Sequence, residues 1–377
     1  MGKHPGLSIF AGNPMNPEMK KYLFILAIFA ILTQARGQDV LFYALSDNAS
    51  LEEPISLCKL DTATGEISIV ESFAGVMQGN YMAISPDGNH LLVTSKNKNR
   101  NRGGLVQFSI ADDGSLTFLR NRFKPGGMPC HVSFTPDGKY AMSASYGDDQ
   151  VSLYTFKDGV LGPQTDQVVK PDQSKGHYIQ SGPSSTFVHA VFLGQDKVLN
   201  FMIEDGSFVE NPNQLYFSLP QGYGPRHMVF HPNNMLAYIL NELDASVTGC
   251  AYNADKGVLN EFQNISMLPD GFEGNNSGAA IRLHPNGWFL YASNRGHNSI
   301  VVYQVQNNAT LVPVQHATEN VNWPRDFNIS PDGKFLLVAN QKGDSISVFS
   351  IDQKTGMLTP TGNRILMPGP LAILFLP

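Results

Sequence analysis

Seven prolines recur along this chain at nearly even spacing, and no other feature constrains its fold as strongly. Aligned on them, the segments read NYMAISPDG, CHVSFTPDG, HYIQSGPSS, RHMVFHPNN, AIRLHPNG, RDFNISPDG and LAILFLP. The prolines are Pro86, Pro136, Pro183, Pro232, Pro285, Pro331 and Pro377, separated by 50, 47, 49, 53, 46 and 46 residues. Each unit then runs as strand, turn, strand, loop, strand, loop, strand. In the sixth these strands are DFNIS, FLLVAN, SISVFSI and MLTPT. Alternating or β-branched runs broken by Pro-Asp-Gly turns are hairpin signals. A four-stranded unit of about 45 residues repeated around a ring is the signature of a propeller. The repeat therefore predicts an all-β fold, a seven-bladed β-propeller of four-stranded blades.

The ends of the repeat array agree with this. The last unit stops at Pro377, where the next turn would begin. The segment after Gln38 opens with VLFYALS, ISLCKL and ISIVESF, which read as the second, third and fourth strands of a unit. The C-terminal strand is expected to complete that blade, with Leu371–Leu376 beside Val40–Ser46, closing the ring and leaving no open edge. Residues 38–377 are then a single propeller domain behind a leader at 1–37.

The leader carries a targeting pattern. Lys20 and Lys21 form a positive region, and Tyr22 to Leu32 form an apolar run too short to span a bilayer. Ala35 and Gly37 put small residues at −3 and −1 of a cleavage site before Gln38. Met19–Gly37 is thus predicted to be a signal peptide, and the mature chain to be secreted and free of the membrane. Glycosylation sequons at Asn48, Asn264, Asn275, Asn308 and Asn328 fit that route, although Pro331 follows the last closely. A net charge of −6 with no basic tract argues against a nucleic-acid partner. Three cysteines imply no disulfide framework. Cys58 and Cys250 fall at one repeat position in non-adjacent blades, where packing is the expected role.

Propeller geometry sorts loops by face. The loop entering each innermost strand and the loop between strands two and three share one rim, at the mouth of the central channel. The entry positions, six residues before each proline, are Asn80, Cys130, His177, Arg226, Ala279, Arg325 and Leu371. Ten residues after the prolines come Lys96, Tyr146, Leu193, Glu242, Arg295 and Gln341. His177, Arg226, Glu242, Arg295 and Arg325 should therefore converge on one side of the mouth. A structural salt-bridge network around Glu242 is one reading. Three arginines facing one carboxylate, however, leave positive charge over, which suits a bidentate anionic ligand.

The segments GPRHMVFHPNN, YILNELDASV and FLYASNRGHNSIVVY resemble the lactonase family of seven-bladed propellers. The same likeness extends through GGMPCHVSFTPDGKYAMSASYGDDQVSLY, WPRDFNISPDGKFLLVANQKGDSISVF and MPGPLAILFLP. Bacterial 6-phosphogluconolactonase and fungal carboxy-cis,cis-muconate cyclase belong to that family. The resemblance implies a His, two Arg and a Glu at the mouth that bind and activate substrate, here His177, Arg226, Arg295 and Glu242. Three departures fall in the blade of His177, one of them the lack of the usual Gly turn after Pro183. The first residue of a family His-x-His pair is Lys175, and a family Asp-Leu-Gly reads Phe192-Leu193-Gly194.

Opening or closing a lactone needs charge stabilisation at the carboxyl oxygen and a proton moved near the ring oxygen. Arg226 and Arg295 can hold a carboxylate or developing oxyanion, with Arg325 as a further binding residue. Two guanidinium groups beside Glu242 favour its charged form, so His177 is the expected proton carrier. No cofactor or metal is expected. His131, His227, His231, His284 and His297 read as scattered over the blades, with His231 and His284 as surface or capping residues beside the turns. No Gly-x-Ser-x-Gly elbow occurs, and Cys130 reads as inert packing. The expected partner is a small anionic or lactone substrate. Three readings stand: a secreted lactone hydrolase, a muconate-type lactone cyclase, and a non-enzymatic propeller that binds a small anion or a protein.

Overall fold

The turn after each innermost strand is written into side-chain chemistry. In Ser85-Pro86-Asp87-Gly88 the proline presets φ, and the Asp87 carboxylate accepts the Asn89 N–H at 3.1 Å. Gly88 takes φ +77° and donates to the Ser85 carbonyl at 2.9 Å. This is a type I turn followed by a left-handed residue, a geometry that suits a hairpin. The turns ending at Gly138 and Gly333 repeat it, with φ of +68° and +73°. Where the sequence reads His-Pro-Asn, the imidazole does the same work. Nδ1 of His231 and His284 accepts the N–H of Asn233 and Asn286, at 3.1 and 3.2 Å. Nε2 reaches the turn carbonyl of the next blade, Gly287 or Gly333, at 3.0 and 2.9 Å. Both histidines are caps, but His284 is only 3% exposed and is not a surface residue.

A computed structural model describes residues 1–2, 39–48, 50–97, 99, 101–184 and 186–377 of the chain. The signal segment Met19–Gly37 and the cleavage position before Gln38 lie outside the described residues. Seven antiparallel sheets form from Asp39 onward. Numbered by their prolines, blades 1 to 6 begin with the innermost strands Gly79–Ile84, His131–Phe134, Gly176–Ser181, Pro225–Phe230, Ser277–Leu283 and Pro324–Ile329. Blade 7 joins Pro370–Phe375 to Asp39–Ser46, Ile55–Asp61 and Ile67–Phe73. Phe42 lies opposite Phe375 and Leu45 opposite Ala372, so the C-terminal strand closes the ring as expected. Each innermost strand packs against those of both neighbours.

Period-two alternation explains how the blades cohere. In Phe335–Asn340, Leu336 and Val338 pack on Phe289, Tyr291 and Val302 of blade 5. Phe335, Leu337 and Ala339 face the other way, onto Phe42, Ala44 and Leu60 of blade 7. Both faces are buried, which is why the strand reads as an unbroken apolar run. Seven such clusters fill the seven gaps between blades. Cys58 and Cys250 sit in them as free buried thiols.

Blade 3 breaks the pattern at its outer edge. Its fourth strand is two pieces, Ser207–Glu210 and Tyr216–Ser218, both paired with Lys197–Glu204. Pro212 between them has no N–H for the ladder. The Asn211 amide instead reaches the carbonyls of Lys256 and Gly257 in blade 4, at 2.8 and 3.2 Å.

Candidate functional site

Strand alternation alone would point only every second residue of an innermost strand into the channel. A bulge at the mouth changes this. Gly176 pairs with Phe192 and Tyr178 with Val191, so His177 has no partner across the ladder. Arg226 and Arg325 are skipped in the same way. A bulge of this kind re-aims a side chain. It lets residues six and five before the proline both face the channel.

The five ionisable positions line one cavity of about 290 Å³, together with Asn80, Met128, Cys130 and Tyr146. Glu242 is clamped there: its Oε2 is 2.9 Å from Arg226 Nε and its Oε1 is 3.0 Å from Arg295 Nη2. The Arg226 contact is an ion pair by distance, with its N–H directed off the line of a hydrogen bond. Arg226 Nη1 also donates to the Ala279 carbonyl and lies 3.0 Å from His227 Nε2. Arg295 Nη2 donates to Gly278 at 2.8 Å. Arg325 Nη2 donates to the Asn80 carboxamide at 2.8 Å and, among the described residues, has no carboxylate in ion-pair reach. Three guanidinium charges against one carboxylate leave positive charge over.

Burial and the guanidinium groups of Arg226, Arg325 and Arg295 push the His177 imidazole well below its ordinary range. It is neutral near pH 7, and its buried Nδ1 has no hydrogen-bond partner among the described residues. Arg295 and Arg325 are drawn down to about 10, first by burial and then by neighbouring arginines. Burial holds the Cys130 thiol up at about 11, and its Sγ lies 3.3 Å from the His177 carbonyl. A protonated, enclosed thiol is packing, not a nucleophile.

The histidines are not all scattered. His131, His177 and His227 converge, with ring centroids 5.4 Å apart for His177–His227 and 6.0 Å for His131–His227. Tyr178 stacks on His131 at 3.9 Å, and Tyr81 approaches it at 4.5 Å. His131 and His227 are also held well below their ordinary range by burial. The signal was present in the repeat, since Tyr81, His131, Tyr178 and His227 all stand five residues before their prolines. Among the described residues no three His, Cys, Asp or Glu side chains are grouped to hold a metal ion.

These rings plug the channel. Where Tyr81 and His227 meet Arg226, Arg325 and Leu371 the space left is only about 10 Å³. Beyond the plug a second cavity of about 250 Å³ holds a buried Arg282–Asp326 ion pair at 2.9 Å. Asn328 lines that cavity, and its Nδ2 donates to the Ile373 carbonyl at 3.0 Å. Asn264, Asn275 and Asn308 are exposed, whereas Asn48 is half-buried. Of the departures beside His177, Phe192 is buried between blades 2 and 3. Lys175 stands at the rim with Nζ 5.5 Å from the Tyr146 ring.

A larger cavity, about 570 Å³, is lined by the turns at the opposite rim, with no Asp, Glu, Lys or Arg among its described lining residues. Chemistry on a polar bond needs the charges of the mouth, which makes the smaller pocket the candidate active site.

Comparison with known proteins agrees with this architecture. Residues 43–375 match the family model described as lactonase, 7-bladed beta-propeller. A 6-phosphogluconolactonase from Bacillus subtilis is 32% identical over 335 residues, covering 86% of this chain and 95% of the relative. Another from Yersinia pestis is 33% identical over 322 residues, covering 85% and 93%. Among solved structures, the periplasmic gluconolactonase of Pseudomonas aeruginosa superposes with a TM-score of 0.83 at 25% identity, covering 90% of this chain and 99% of that one. A protein from Lactobacillus plantarum gives a TM-score of 0.83 at 26% identity, covering 90% and 100%.

Proposed function

This chain belongs to the lactonase family of seven-bladed β-propellers, and from that premise we propose that it is an exported lactone hydrolase working at the arginine-lined mouth. One observation carries the reading. Glu242 holds Arg226 and Arg295 in a fork beside a neutral imidazole that has an unpartnered nitrogen.

The roles follow from the chemistry of the bond. Water attacks the lactone carbonyl carbon and gives its proton to the His177 imidazole, which lines the pocket. Arg226 and Arg295 face the oxygen that gains charge. As the ring C–O bond breaks, the imidazolium returns the proton to the leaving alkoxide. The same cations that weaken His177 as a base make its protonated form a strong acid for this second half. The product is an open hydroxy acid whose carboxylate lies among guanidinium groups. Every role is filled by a side chain, and Glu242 serves to orient the two arginines.

The pH dependence follows with a definite sign. The competent imidazole is neutral, and its proton affinity lies below the ordinary value of about 6.5. Activity should therefore hold steady as pH falls to about 6.5 and decline only in more acid solution. Arg325→Gln removes one of the cations that depress His177, so the acid limb should move to higher pH. A kcat/KM profile on both proteins tests this. An unchanged limb in the variant would remove His177 from the proton path.

The curated relatives are named for a phosphorylated lactone and the periplasmic relative for gluconolactone. An exported enzyme is separated from intracellular sugar phosphates, so the proposed substrate is an unphosphorylated sugar-acid lactone. Acid release from glucono-δ-lactone in a pH-stat, with the phosphorylated lactone alongside, tests the choice. No turnover of either would reject the hydrolase reading.

Export has its own test. Intact-mass analysis of protein from a secreting host should show a chain starting at Gln38. Glycopeptide mapping should find carbohydrate at exposed positions such as Asn275 and Asn308, and none at Asn328. A retained Met19–Gly37 segment without glycan would overturn export.

A further inference from the structure

The cleft between blades 4 and 5 at the rim opposite the mouth belongs to no step of the lactone chemistry. It encloses about 570 Å³. The residue three places after each turn proline is Asn89, Lys139, Thr186 and Lys334 in four blades, all exposed. In blades 4 and 5, which are adjacent, the same position is Met235 and Trp288, exposed by 62% and 55%. Two large apolar side chains side by side, where the repeat otherwise places polar ones, mark a surface with a use beyond packing.

We propose that this cleft binds a neutral saccharide, with Trp288 as the platform for a sugar ring. The surrounding polar groups fit that ligand. Among the described residues no Asp, Glu, Lys or Arg lines the cleft, so none of them there favours an ion. The carboxamide oxygens of Asn233 and Asn286 are already taken by the N–H groups of Met235 and Trp288. Among the described residues their amide nitrogens have no partner, and they remain as donors for hydroxyl oxygens. An aromatic face flanked by such donors suits the alternating C–H and O–H surface of a sugar.

The cleft is also built in advance. His231 Nε2 ties the two turns together through Gly287, at 3.0 Å. Tyr238 Oη holds the hairpin that carries Asn308 by its Ala309 carbonyl, at 2.9 Å. The Trp288 carbonyl accepts the Val305 N–H at 2.9 Å. A preformed site loses little entropy on binding.

The test uses protein made without N-glycans, in a Trp323→Phe background, so that Trp288 is the sole indole. Maltose, cellobiose and N-acetylglucosamine are titrated, with gluconate as the charged control. The expected result is a saturable change in emission with at least one neutral sugar and none with gluconate. Calorimetry on Trp288→Ala should show affinity for that sugar weakened by about tenfold or more, while glucono-δ-lactone turnover stays as in the parent. Absence of saturable binding by all three sugars overturns the proposal, as does equal affinity in Trp288→Ala. A monomer–dimer equilibrium abolished by Trp288→Ala, without sugar binding, would assign the cleft to a second copy. The titration is repeated on protein from a glycosylating host, where emission already at its saturated value before sugar is added would overturn binding of a free sugar and assign the cleft to the chain's own Asn308 glycan.

Discussion

Replacing Arg226 by lysine will lower lactone turnover by about 100- to 1000-fold, the cost of about 2.7–4 kcal/mol for losing one oxyanion donor. The positive charge survives this change, but the planar fork does not. Arg226 meets Glu242 through Nε, and through Nη1 it meets the Ala279 carbonyl and the His227 ring. A single ammonium cannot satisfy these from one point and still face a ligand. Arg295→Lys should behave similarly, because Arg295 spans Glu242 and Gly278. The two effects should not add in full, since both arginines share one carboxylate. Substrate affinity should change less than turnover, because the donors matter most when charge develops on the oxygen. Thermal unfolding of each variant separates loss of chemistry from loss of fold, as Arg226 is buried and its replacement leaves a carbonyl without its donor. Near-normal turnover in the double variant Arg226→Lys/Arg295→Lys would place the working site elsewhere.

What could be read from the residues depended on whether the repeat carried it. The seven prolines located seven turns, and counting six back and ten forward brought His177, Arg226, Glu242, Arg295 and Arg325 to one pocket. The neighbouring column of Tyr81, His131, Tyr178 and His227 was equally regular, yet its role was hidden. Alternation assigns adjacent residues to opposite faces, and only the bulge at the mouth turns both columns inward. The Arg282–Asp326 pair was hidden for another reason. It joins residues at different places in two repeats, and its partners Tyr81 and Ile373 come from two further blades. Contacts across a channel are set by the radius of the ring, which no local pattern encodes.

Deleting Leu371–Pro377 should leave no cooperatively folded protein. Leu371 and Ile373 are buried, and Leu374 and Phe375 half-buried. Together they contribute roughly 5–9 kcal/mol of apolar burial. That is most or all of the net stability of about 5–15 kcal/mol typical of a folded protein. Further losses compound it. Asp39–Ser46 becomes an open edge beside the channel. Asp326 loses the Ile373 N–H at 3.3 Å, and Asn328 loses the Ile373 carbonyl. The clusters on both sides of blade 7 lose a wall, Ala372 from one and Ile373 from the other. The mouth itself would be incomplete, because Arg325 and Asn80 lie in the blades on either side of the missing strand and are held together by their 2.8 Å hydrogen bond. Ile373→Ala keeps the strand and removes only part of its packing, so it should fold with a loss of about 2–5 kcal/mol. Urea unfolding followed by circular dichroism ranks the three proteins. A truncated chain that unfolds cooperatively, within about 2 kcal/mol of the full-length protein and so no worse than a single core truncation, would show that the ring does not depend on its closing strand.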